Sequence, residues 1–211
     1  MEKLAVLSFI LLFCGCISSS NVSDERSADV TVNMVSSTVP AKSEQGVRSR
    51  CEYLNGEVER DVCVVVLDRV QDPMNLGSVL RTAEATGVNA IVIPRRGGVG
   101  LTPTVRRAAM GGDVYVPVVR ERPFRVLRFL REEGVRVVGV DSGGGVDYFD
   151  ERLTGSVAFV LGGEGGGLSQ QMRDKCDVVV RIPMSGRLDS LNVGVAAAVV
   201  LYERVRQLSG S

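Results

Sequence analysis

From Val62 onward, short continuous apolar runs alternate with stretches whose apolar residues recur every three or four positions. Val62–Leu67 (VCVVVL) is largely β-branched and has no polar break, the pattern of a strand buried on both faces. Leu76, Val79, Leu80 and Ala83 then repeat at helical spacing, which predicts a helix over Asn75–Thr86 ended by Gly87. Ala90–Ile93 reads as a strand stopped by Pro94. A Gly-rich loop follows, then a short helix near Thr104–Met110 and a strand over Tyr115–Val119. Pro123–Glu133 is a helix with proline in its first turn. Val135–Val140 and Ser156–Leu161 are strands, Leu168–Lys175 a short helix, and Val178–Ile182 the last strand. The closing helix carries Leu191, Val195, Ala198, Val199 and Tyr202 at steps of three and four. That face is expected to anchor it, with Asp189 or Ser190 as its cap.

Strand and helix alternate at short spacing. The fold class is therefore α/β, a mostly parallel sheet with helices on both faces. Ligands of such sheets sit beyond the carboxyl ends of the strands. Three loops there hold the notable polar residues: Asp68–Asn75, Gly162–Gly167 and Pro183–Asn192.

The region before the alternating body has a different texture. Leu4–Phe13 is apolar apart from Ser8, too short for a typical membrane span of roughly 20 residues but suited to a signal-peptide core. Gly15-Cys16 after it resembles a lipoprotein cleavage site; the other reading is translation from a later start such as Met34. Residues 18–59 are Ser-, Val- and Thr-rich with no sustained period, and read as a low-order linker. The expected organisation is a leader at 1–17, a linker at 18–59 and one domain at 60–208.

Composition narrows the chemistry. The chain contains no histidine, which removes histidine bases and His-containing metal sites. Its five cysteines form no C-x-x-C pair, so no metal site is expected. Formal net charge is zero, so a global basic field is absent, yet nearly all cations are arginine. Arginine forks hold phosphates and stack on bases, though a GC-rich genome yields the same bias.

The Gly-rich loops fit neither nucleotide signature. GGEGGGL (Gly162–Leu168) misses G-x-G-x-x-G in both frames, and no G-K-[ST] triplet exists for a P-loop. The glycines still permit close backbone approach to a ligand, and Glu164 sits among them with little cover. Asn75 is a candidate cap for its helix. Arg81 lies opposite the apolar stripe, either as a solvated arginine or as a phosphate clamp.

Taken together, three segments resemble the SpoU (TrmH-type) family of RNA ribose 2'-O-methyltransferases, within the SPOUT superfamily. Asn75-x-Gly77-x-x-x-Arg81 is similar to its first motif and Val160–Gly165-x-Gly167 to its second. Ile182-Pro183-Met184-x-Gly186-x-x-x-Ser190-Leu191-Asn192-Val193 is similar to its third. The resemblance spans about Asp61–Gln207 and is nearest to the branch that methylates a large-subunit rRNA guanosine.

The resemblance implies an α/β fold with a C-terminal trefoil knot and S-adenosyl-L-methionine as cofactor, bound near Gly162, Ile182, Met184 and Leu191. It implies a catalytic group of Asn75, Arg81, Glu164, Ser190 and Asn192. It also implies an RNA partner, rRNA favoured and tRNA possible, and a homodimer with the site near the interface. A cytoplasmic enzyme is expected, with no stable membrane partner unless the leader functions. The alternatives are a catalytically weak RNA-binding or ribosome-assembly factor, and a secreted or lipid-anchored protein that reuses the fold.

Overall fold

The computed structural model describes residues 61–163 and 165–210. The leader, the linker and Glu164 lie outside the described residues. Seven parallel strands form one sheet: β1 (Cys63–Asp68), β2 (Ala90–Ile93), β3 (Val118–Arg120), β4 (Arg136–Val140), β5 (Val146–Asp147), β6 (Val157–Gly162) and β7 (Val178–Arg181). Their order is β3-β2-β1-β6-β4-β7-β5. The helices are α1 (Pro73–Ala85), α2 (Pro103–Ala109), α3 (Gly112–Tyr115), α4 (Pro123–Glu132), α5 (Gln170–Arg173) and α6 (Val193–Ser209). Among these, none is long and apolar enough to cross a membrane.

The two faces of the sheet bury different helices. Cys63, Val65 and Leu67 of β1 point into a core with Leu76 and Leu80 of α1, Val105 of α2, and Ala197 and Leu201 of α6. Val64 and Val66, one step out of phase, point to the other face and meet Val126, Leu127 and Leu130 of α4 and Met172 of α5. Side chains alternate along a strand, so a continuous apolar run is what a two-sided burial requires. Every residue of β1 and of β6 is buried.

β6 enters between β1 and β4, and β7 lies on the far side of β4, so the last strands depart from chain order. The sheet itself shows this strand order, and the trefoil knot rests on the resemblance to the SPOUT fold.

Three expectations need correction. Tyr115, the expected start of the Tyr115–Val119 strand, closes helix α3 instead, and β3 begins only at Val118. Gly111, at φ 92°, turns the chain sharply enough to start a helical turn that local β-propensity does not reveal. Asn75 is not a cap: Asp72 caps α1 by accepting from Met74 N at 2.8 Å, and Asn75 is buried in the first turn. The anchoring face of α6 is also different. Val193, Ala197, Val200 and Leu201 are buried, whereas Leu191, Val195 and Tyr202 are 38%, 50% and 54% exposed. The helix is apolar almost all round, so periodicity alone could not select the buried side.

Candidate active site

The site begins with two asparagines. α1 starts directly after β1 and α6 follows the loop after β7, and the two helices pack against each other where Gly194 lies against Ser78. A Cβ on Gly194 would stand 3.0 Å from the Ser78 hydroxyl, so glycine keeps this approach free of strain. Asn192 caps α6, its Oδ1 accepting from Gly194 N at 2.9 Å. Its Nδ2 donates to Asn75 Oδ1 at 2.8 Å. The cap is thus Asn192 rather than Asp189 or Ser190, and α6's first donors are taken up by Asn192 instead of facing the loop freely.

Beside this pair lies a cleft of about 670 Å³ at the carboxyl ends of β4, β6 and β7. Such a volume is ordinary for a small-molecule site, roughly 300–1,000 Å³. Gly162 and Gly163 form one wall. Ile182, Met184, Ser190 and Leu191 form another, with Asn192 at its edge. All four residues singled out for the cofactor line this cleft, as do Ser190 and Asn192.

Glycines shape the wall. The 162–167 loop folds back through an antiparallel bridge between Gly163 and Gly167. A Cβ on Gly162 would collide with the Gly167 backbone, and Gly167 sits at φ 58° against the Asp141 carboxylate. Glycine is required there by a close approach and a left-handed backbone, not by a nucleotide fingerprint.

Asp141, at the end of β4, was not singled out from the sequence. Its buried carboxylate accepts from Leu168 N at 2.7 Å and Gly143 N at 2.9 Å, and pairs with Arg173. One anion therefore ties β4, the Gly loop and α5 into one side of the cleft. The available signal was the Asp141-Ser-Gly-Gly-Gly run, another Gly-rich loop at a strand's carboxyl end.

Arg81 stands apart. It is exposed on α1 and does not line the cleft. It lies six positions beyond Asn75, about 9 Å along the helix at 1.5 Å per residue. Among the described residues its side chain makes no hydrogen bond or ion pair. Those residues also contain no group of three or more His, Cys, Asp or Glu able to hold a metal ion.

Comparison with known proteins places this geometry. A protein of Staphylococcus aureus (strain COL), assigned to the TrmH family of tRNA/rRNA methyltransferases, is 40% identical over 74% of this chain and 64% of its own length. The chain thus matches somewhat less than two thirds of that relative. The solved SpoU methyltransferase AviRb of Streptomyces viridochromogenes, in complex with AdoMet, superposes with a TM-score of 0.68. It shares 33% identity, over 73% of this chain and 60% of that one. A solved RNA 2'-O ribose methyltransferase gives a TM-score of 0.66 at 33% identity, over 72% of this chain and 60% of that one. Residues 62–202 match the SpoU rRNA Methylase family across strand, cleft and capping pair alike, and the chain belongs to that family.

Proposed function

We propose that the chain transfers a methyl group from S-adenosyl-L-methionine to a ribose 2'-hydroxyl of RNA. We take rRNA as the favoured substrate and tRNA as the other, and a cytoplasmic homodimer as the working form. The observation that carries this reading is convergence: segments more than a hundred residues apart meet at one cleft through the Asn192–Asn75 bond.

The residues present suit the cofactor. Leu161, Ile182 and Leu191 offer apolar contact for a purine ring, and the Gly162–Gly163 backbone allows close approach. Gly162, Ile182, Met184 and Leu191 would hold it. The cofactor supplies a methyl group on a sulfonium, already activated for transfer to oxygen.

What remains for the protein is alignment, which can be worth about 7–11 kcal/mol. Ser190 and Asn192 would orient the ribose, and Asn75 would hold Asn192. Glu164 joins this group through the resemblance alone. A guanidinium is a permanent cation whose planar fork matches phosphate oxygens, so Arg81 serves as a fixed cation on RNA phosphate rather than as a base. A ribose hydroxyl requirement selects RNA over DNA.

Homodimerisation is supported by the exposed stripe of α6. Leu191 both lines the cleft and begins that stripe, so a second copy seated on it adjoins the site. Arg81, outside its own chain's cleft, would then act in a neighbour's.

The test is tritium transfer from labelled S-adenosylmethionine into unmodified total RNA, with the labelled nucleotide mapped, wild type beside Arg81→Ala. Label on a ribose 2'-oxygen that is lost in the variant supports the enzyme. Label on a base defeats the 2'-O assignment. Cofactor binding without transfer to any RNA moves the reading to the non-catalytic factor.

A further inference from the structure

The rim beside the cleft concentrates exposed cations in a chain of zero net charge. Five arginines stand at the carboxyl ends of β1, β2 and β3: Arg69, Arg95, Arg96 and Arg122 are exposed and Arg120 is half-buried. The carboxylates among them are turned inward. The Glu121 side chain is 2% exposed and the Asp68 side chain 12%, whereas their partners Arg95 and Arg69 are 40% and 56% exposed. Asp72, exposed nearby, is occupied in capping α1.

The rim is also built rather than loose. Buried Glu121 accepts from Arg95 Nη2 at 2.8 Å and from Arg122 N at 2.8 Å. Arg120 Nη2 donates to the Arg95 carbonyl at 3.2 Å and lies under Gly100. Val99 N donates to the Val70 carbonyl at 2.9 Å, joining the loop after β2 to the loop after β1. Arg69, in that second loop, holds a left-handed backbone at φ 59° while Gly163 of the cleft packs on its carbonyl. The rim and the cleft wall are therefore one connected surface. Arg96 and the Arg122 side chain make no ion pair among the described residues.

We propose that this rim is a phosphate-binding track for the RNA strand flanking the target nucleotide, resting on the RNA substrate of the proposed function. The inward carboxylates leave the exposed Arg96 and Arg122 guanidiniums as outward charges on an ordered rim, and forked donors suit phosphate oxygens. Contacts of this kind fix register on the cleft and carry no base information.

The experiment is fluorescence anisotropy of a labelled single-stranded oligouridylate, titrated with the full chain between roughly 50 and 200 mM salt. The main variant is Arg96→Ala/Arg122→Ala, because neither side chain makes an ion pair among the described residues. The expected result is weaker binding and a shallower plot of log K against log salt, by about 0.7 per lost contact. Arg96→Lys/Arg122→Lys should restore the slope, and Arg125→Ala/Arg128→Ala on α4 should leave it unchanged. In methyl transfer, the main variant should raise the RNA KM and keep kcat and cofactor affinity. A slope equal to wild type in the main variant overturns the track while leaving the enzyme reading intact. An equal loss from the α4 variant also overturns it. Wild-type binding with no salt dependence, together with no methyl transfer, overturns both.

Discussion

Asn192 donates to Asn75 at 2.8 Å across 117 residues, while its own oxygen caps α6. The capping bonds identify that oxygen, so the amide nitrogen is the atom that faces Asn75. Asn192→Ala removes both functions, and the cap alone is worth about 1 kcal/mol. Asn192→Asp keeps the cap but loses the donor. The expected outcome is that the aspartate variant recovers most of the melting temperature. Both variants should lose methyl transfer by about 100-fold, as small misplacements do. Thermal melts beside transfer assays check this; an active aspartate variant would show that the side-chain bond has no role in the reaction.

Gly77, the central glycine of the first motif, contacts α2 rather than the cleft. A Cβ there would collide with Ala108 and stand 2.9 Å from the Val105 carbonyl. Gly77→Ala is expected to destabilise the fold by about 1–3 kcal/mol through overpacking. Denaturant unfolding measures it, and a paired Ala108→Gly should return most of the loss.

Asp141 satisfies two backbone donors and one guanidinium. Asp141→Ala leaves the buried Leu168 N–H unpaired, and hydrogen bonds to a charged group are worth about 1.5–3 kcal/mol. Cofactor affinity by calorimetry should fall, because the Gly loop loses its tie to β4. Unchanged affinity in a destabilised variant would restrict Asp141 to a purely structural role.

The exposed stripe of α6 makes the oligomer testable. Val195→Arg places a charge at its centre, where the native side chain is 50% exposed. The folded variant should sediment as a monomer and lose methyl transfer. If Arg81 works in a neighbour's cleft, mixing Arg81→Ala with Asn192→Ala chains should restore part of the activity that each alone has lost.

The two described cysteines, Cys63 buried and Cys176 half-buried, are both disfavoured as thiolates. Burial pushes the Cys63 thiol up to about 11, with Arg204 pulling the other way. Burial and then the Asp177 charge push Cys176 up to about 11, against Arg131 and Arg173. The neutral thiol is thus favoured in the fold. The associated stability is fully present below the ordinary value of 9.0 and is lost as pH rises toward about 11. Alkylation mapped by mass spectrometry at neutral pH should leave both unlabelled until denaturant is added.

The architecture is legible in the sequence because its signals are local. β1, β2 and β6 are continuous apolar runs, and a strand buried on both faces can have no polar break. The glycine and polar positions at Gly162, Ile182, Met184, Ser190, Leu191 and Asn192 stood in recognisable order, and the fold collects them around one cleft. Other features depend on what lies across space. Asp72 rather than Asn75 caps α1, since several polar residues near a helix start can serve and only packing chooses among them. Val193, Ala197, Val200 and Leu201 of α6 are buried instead of the Leu191–Tyr202 stripe, because a helix apolar on every side has no preferred face until a partner arrives. Asp141 reaches the Gly loop only because β4 and β6 pair in parallel and end together. Sequence periodicity records how a segment is buried; it does not record against which neighbour, and that choice assembled the cleft, the arginine rim and the exposed face of α6.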